Sequence, residues 1–151
     1  MPGGFISGFI VPDQIPGELN AAGLTVFVGE GDDCYDDDFI AFNAPDSYQT
    51  HPQDIPDSYK LWDGTSSTAV PGSNTSSHPN NVWNGMSVDL TADGVDIDTF
   101  SITWASGMLQ PHDTSARINM YTGTDNWNLI YIIISFRSSV TTGNALSYLI
   151  R

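Results

Sequence analysis

The side chains best suited to chemistry in this chain are aspartates, and they gather in two places. The first is Gly29-Glu-Gly-Asp-Asp-Cys-Tyr-Asp-Asp-Asp38, which crowds Asp32, Asp33, Asp36, Asp37 and Asp38 into one short stretch. Carboxylates held that close repel one another, and a bound cation relieves the repulsion. Ca²⁺ is the natural candidate, because it takes roughly six to eight oxygen ligands and tolerates irregular loops. The spacing is not that of an EF-hand loop, and a solvated acidic turn accounts for the same residues without a metal. The second place holds Asp89, Asp93, Asp96 and Asp98. Asp96 and Asp98 stand two apart, so on a strand they share a face, and Asp93-Gly94 signals a turn beside them. Asp93, Asp96 and Asp98 therefore form a second candidate Ca²⁺ set. The same Asp96 and Asp98 are the pair a hydrolase would use as general acid and base. Turn caps and an outward polar face are the plain alternative.

Nucleophilic chemistry has little to work with. The chain has no Gly-x-Ser-x-Gly, no phosphate-binding Walker loop and no His-Glu-x-x-His. Cys34, the only cysteine, is flanked by acids, which raise a thiol pKa rather than lower it. It cannot form an intrachain disulfide, and a small buried side chain or a link between chains are its two readings. His51, His78 and His112 are far apart, each beside Pro or Asp, and read as loop residues. No catalytic residue and no organic cofactor are expected. Trp62 and Trp83 each precede a turn, in Trp62-Asp-Gly64 and Trp83-Asn-Gly85. There an exposed indole could serve as a platform for a sugar ring, although burial in a core is the usual fate of Trp. Asn74-Thr-Ser76 is a glycosylation sequon.

Composition narrows the partners. The chain has 151 residues, one domain's worth, and at that size a fold buries roughly 70% of its unfolded surface. It carries 18 acidic and 4 basic residues, for a net charge of −14. All the acids except Glu18 and Glu30 are Asp, a residue of turns rather than helices. Nucleic acid and anionic membrane both require a basic footprint that is missing here. Cations, basic surfaces and neutral sugars remain open. No run approaches the ~20 apolar residues of a membrane-spanning helix. The start, Met1-Pro-Gly-Gly-Phe5, shows neither a basic n-region nor a long apolar h-region, so reading the protein as exported takes the numbered chain to begin after a cleaved leader.

The elements that must position these residues read as strands. The runs are Phe5 to Val11, Leu24 to Val28, Phe39 to Asn43, Tyr59 to Trp62, Met86 to Leu90, Ile97 to Trp104, Ser115 to Tyr121, Trp127 to Arg137 and Leu146 to Ile150. They are rich in β-branched and aromatic residues and are separated by Gly, Pro, Asn, Asp and Ser. About nine short strands at this spacing predict an all-β protein, an antiparallel β-sandwich of jelly-roll or Ig-like type with long Pro/Ser/Asn-rich loops. One helical turn at most is expected, over Ala21 to Leu24. Ala116, Ile118 and Met120 alternate with Arg117, Asn119 and Tyr121, which predicts a strand with one wet face. Trp127 to Arg137 is apolar on both faces and is expected to be covered on both sides, at the middle of the domain. Gly123-Thr-Asp-Asn126 predicts a hairpin between these two runs. Ala44 to Ser58 and Gly64 to Asn81 read as long loops or a mobile insertion.

The first run is set apart by Gly3-Gly4 before it and Pro12 and Pro16 behind it. Phe5, Phe9 and Val11 are expected on one face, with Ile6 and Ile10 on the other. Residues 1–12 are thus a candidate exchanged strand, which pairs within its own sheet or adds to the edge of a neighbouring molecule. Asn81-Val-Trp-Asn-Gly85, Asp93-Gly-Val-Asp-Ile-Asp-Thr-Phe100, Gly107, Asp113-Thr-Ser-Ala116 and Asp125-Asn-Trp-Asn-Leu-Ile-Tyr-Ile-Ile-Ile-Ser-Phe136 resemble a domain of secreted bacterial and archaeal surface proteins, of adhesin-like or envelope type. The resemblance covers the C-terminal half. It implies a cell-surface location, a sandwich fold and a non-enzymatic role in surface architecture. The leading expectation is a subunit of a surface layer, filament or adhesin, meeting copies of itself or other surface proteins through β-strand contacts. A carbohydrate-binding module with structural calcium is the alternative, and a hydrolase using Asp96 and Asp98 the third.

Overall fold

A computed structural model of the chain describes residues 3–29, 38–61, 95–123, 126, 128–137 and 147–150, with the backbone alone at 95, 96, 98 and 147–150. Its strands are β1 (Gly4–Ser7), β2 (Asn20–Gly29), β3 (Phe39–Phe42), β4 (Val95–Thr103), β5 (Ser115–Tyr121), β6 (Asn128–Ser135) and β7 (Ser147–Ile150). Every pairing is antiparallel. One sheet has three strands in the order β1-β5-β3, the other four in the order β4-β2-β6-β7. The protein is all-β, with no α-helix among the described residues.

Alternation decides which side of each strand is buried. On β2, Ala22, Leu24, Val26 and Val28 are buried, while Gly23, Thr25, Phe27 and Gly29 are half-exposed. Phe100 and Ile102 of β4 and Ile134 of β6 stand opposite Leu24 and Ala22 in register and join the same core. From the other sheet come Ile6, Ile40, Phe42, Ala116 and Ile118. The two sheets therefore share one hydrophobic core. Burial of aliphatic and aromatic side chains at about 1.5–3 kcal/mol each is what holds them together.

Several expectations change against this fold. Ala21 to Leu24 lies within β2, because pairing with β4 on one side and β6 on the other outweighs the local preference of alanine for helix. The predicted hairpin of β5 with β6 does not form. β5 is already paired on both edges, by β1 and β3, and the link 122–127 carries the chain to the other sheet, where β6 lies between β2 and β7. β6 is an interior strand, as its composition suggested, yet its outward side is not sealed: Leu129 and Ile130 are exposed and Tyr131 and Ile133 half-exposed. A bulge between its pairings with Phe27 and Val28 leaves Ile130 out of register. Of the expected strand Tyr59 to Trp62, the described residues 59–61 contribute a single bridge, Ala41 to Lys60. The expected strand Met86 to Leu90 lies outside the described residues.

The segment after β3 is an ordered cover, not an insertion. Three turns of 3₁₀ helix, Asp46–Tyr48, Pro52–Asp54 and Asp57–Tyr59, carry it across the outer face of the three-stranded sheet. Proline fits the start of such turns, since it lacks the N–H that would go unpaired there. Ile55 and Leu61 are buried beneath it, and Tyr48 and Tyr59 pack on the core. Leu61 N–H donates to the Ile40 carbonyl at 2.9 Å, and together with the Lys60 bridge this closes the edge of β3. All four residues of β3 are consequently buried.

Candidate functional site

With β3 closed by 60–61, the open edge of the three-stranded sheet is β1, which pairs with β5 alone among the described residues. Its register runs from Gly4 opposite Ile118 to Ser7 opposite Ser115. Gly8 then breaks the alternation at φ +90°, a conformation that costs glycine little and other residues more. That break corrects the expected faces: Ile6, Phe9 and Val11 point into the core, and Phe5 (65% exposed) and Ile10 (68%) point out. Beyond the break the chain stays attached to the turn before β5. Val11 N–H donates to the Asp113 carbonyl at 2.9 Å and His112 N–H to the Val11 carbonyl at 2.8 Å. The five residues Phe5, Ile6, Phe9, Ile10 and Val11 thus divide into three that anchor the strand in its own chain and two that present apolar surface beside an unpaired edge.

A polar cluster holds this edge in place. Arg117 of β5 is mostly buried, and its guanidinium meets Asp46 at 2.5 Å and the Ala44 carbonyl at 3.2 Å. The same guanidinium lies 4.6 Å from the centre of the Phe5 ring, a cation–π contact of about 0.5–1 kcal/mol in a partly wet setting. Next to it Asn119 is fully buried and donates from Nδ2 to Gln49 Oε1 at 2.8 Å. Gly3 N–H donates to that same Gln49 oxygen at 2.9 Å. Asn43, in the left-handed region at φ 51°, accepts the Arg117 N–H at 2.7 Å and donates to the Met108 carbonyl at 2.6 Å. Space is tight here: a Cβ on Gly3 would stand 2.8 Å from Arg117 Cγ and from Asn119 Nδ2. A buried polar group without partners is costly, so the cluster fixes one arrangement of β1, β5 and the 44–61 cover. Reading the sequence for motifs passed over this cluster. The available signal was Arg117 itself, one of only 4 basic residues, set in the middle of a strand with Asn119 two positions on.

The acidic residues are placed only in part. Asp38 is fully buried and accepts the Gly123 N–H at 3.1 Å, tying the start of β3 to the end of β5. Asp32, Asp33, Asp36, Asp37 and Asp93 lie outside the described residues, as do Cys34, Asn74, Trp62 and Trp83. Asp96 and Asp98 take register positions on β4 opposite Val28 and Val26, in the alternating row that continues to Phe100 and Ile102. No group of three metal-ligating side chains occurs among the described residues. Of the histidines, His51 precedes the second 3₁₀ turn, and His112, at φ 72°, is exposed and lies 3.1 Å from Asp13. Trp104 is half-buried and packs on the core.

No helix among the described residues is long and apolar enough to cross a membrane. No family model, no curated protein and no solved structure matches the chain.

Proposed function

We propose that this chain is a non-enzymatic extracellular structural module, a subunit of a surface layer, filament or adhesin that meets its neighbours through β-strand contacts. Its two sheets then form a β-sandwich of jelly-roll or Ig-like type. The observation that carries the reading is the β1 edge. It is unpaired on its outer side among the described residues, carries the exposed Phe5 and is followed by the exposed Ile10. An edge of that kind is a template for a strand of another molecule, and proteins that must stay apart usually blunt it with charge or proline. Here no charged residue lies between Gly3 and Val11, in a chain of net charge −14. The resemblance of the C-terminal half to surface-protein domains points the same way. Calcium belongs to the proposal as a stabiliser at the acidic residues 32–38, whose last member, Asp38, is a buried carboxylate.

The test is size-exclusion chromatography with light scattering, followed by negative-stain microscopy. It compares the parent chain with a Phe5→Asp/Ile10→Asp variant, each in EDTA and in Ca²⁺. Both positions are exposed, so the variant keeps Ile6, Phe9 and Val11 in the core, which deleting residues 1–12 would not. Polymers from the parent that are lost in the variant support the reading, and equal behaviour of the two sinks it. Saturation of a Ca²⁺ site at a hundredfold excess over Kd adds about 2.7 kcal/mol, a rise of several degrees in melting temperature over Mg²⁺ at equal ionic strength.

A further inference from the structure

We propose that the outward face of the four-stranded sheet is a second self-association surface, which receives the same face of a second copy of this chain. It is a different surface from the β1 edge and shares with the assembly reading only the identity of the partner.

The argument starts from charge. The chain carries 18 acids and 4 bases, yet no outward register position of β4, β2, β6 or β7 is Asp, Glu, Lys or Arg. Those positions run, for example, through Thr99, Thr25, Ile133 and Leu149 in one row. Charge resumes at the rim, where Arg137, just past β6, meets Glu18 at 2.7 Å. A neutral centre with a charged rim is the anatomy of a protein interface. Neither an acidic nor a basic partner finds a counter-charge on this face. Copies of this chain repel one another at −14, and a charge-free face is where two of them can approach without stacking carboxylates.

The relief of the face also suits itself. Phe27 and Tyr131 form a cross-strand aromatic pair on this face, with ring centres 5.1 Å apart at 69°. Thr25 and Thr99 bond hydroxyl to hydroxyl at 2.9 Å, so their polar groups are already satisfied within the sheet. Ile130, pushed out by the bulge, is 55% exposed at one end. A two-fold apposition uses the same neutral patch twice, once from each copy. Four strands about 4.8 Å apart, read over about seven residues of about 3.3 Å, give a patch whose two copies cover roughly 900 Å² in plane before side-chain relief is added. That lies near the lower bound for a specific interface and corresponds to a reversible dimer rather than an obligate one.

The experiment is sedimentation velocity across a concentration series on the parent, Thr99→Glu, Ile130→Glu, Thr99→Val and Phe5→Asp, with melting temperatures for each. In the parent, a dimer that strengthens as salt rises is expected, because salt screens the repulsion between copies. Either glutamate places like charges across the two-fold and weakens the dimer on the order of tenfold or more. Thr99→Val and Phe5→Asp leave it intact. If Thr99→Glu does not fold, Ile130→Glu at its exposed position carries the test. The proposal is overturned if the parent stays monomeric to about 1 mM in high salt, or if a glutamate variant that melts like the parent also dimerises like it. Loss of the dimer in Phe5→Asp alone would move the contact to β1 and overturn the proposal for this face.

Discussion

The outer faces of the two sheets have met opposite fates. The three-stranded sheet is roofed by its own chain: residues 44–61 lie over it, Ile55 and Leu61 are buried, and Arg117 and Asn119 are held by Asp46, Ala44 and Gln49. The four-stranded sheet carries on its outer face a neutral row of Thr, Gly, Phe, Tyr and Ile, half-exposed or exposed. The roof consists of proline-started turns and polar clamps, the open face of hydroxyls and apolar side chains with no charge. Among the described residues, the roofed sheet keeps β1 unpaired on its outer side, and the other sheet keeps an uncovered face. A surface that is neither charged nor, among the described residues, roofed in so acidic a chain is one the molecule can use for contact.

The strongest way to break this comparison is through the core both sheets share. Phe100 is fully buried where β4 and β2 face the other sheet. Phe100→Ala should cost about 3–5 kcal/mol in urea unfolding, in a single transition read equally by probes on either sheet. Two separated transitions would mean that the sheets do not form one cooperative unit. The difference between the outer faces is tested by a matched pair. Ile55→Ala, beneath the roof, should cost about 2–3 kcal/mol. Ile133→Ala, half-exposed on the open face, should cost about 1 kcal/mol or less. Equal losses would mean that the two faces are covered alike. A smaller effect sharpens the account at the β1 clamp. Gly3→Ala forces a methyl against Arg117 and Asn119 and should cost about 1–3 kcal/mol, with earlier proteolysis near the N-terminus than in the parent.

How much of this was legible depends on the residue. Ser115 to Tyr121 was read to its observed boundaries from its alternation of apolar and polar residues. The polar face expected to be wet nevertheless lies under residues 44–61, where Asn119 is fully buried and Arg117 mostly so, because a loop from the same chain covers it. Ile97 to Trp104 and Leu24 to Val28 were read as strands, but their ends were set by pairing: β2 reaches back to Asn20 because β4 supplies partners there, Thr103 for Asn20 and Ile102 for Ala22. The faces of residues 5–11 were misread because one glycine, Gly8, shifts the alternation by a residue. Proline and serine in 44–58 spoke for a loop, and nothing local in them says that the loop lies against a sheet. The Arg117–Asn119–Gln49 clamp joins residues about 70 positions apart, a proximity that periodicity does not carry. The hairpin of β5 and β6 failed for the same reason, since a turn signal does not say which sheet the next strand joins.

The account's central claim is that the open β1 edge takes part in assembly and the roofed face does not. Amide hydrogen exchange on assembled and on dilute protein tests it most directly. The account predicts that exchange at residues 4–7 slows on assembly, while residues 44–61 exchange at the same rate in both states. Unchanged exchange at 4–7, or protection that appears over 44–61 instead, would contradict it.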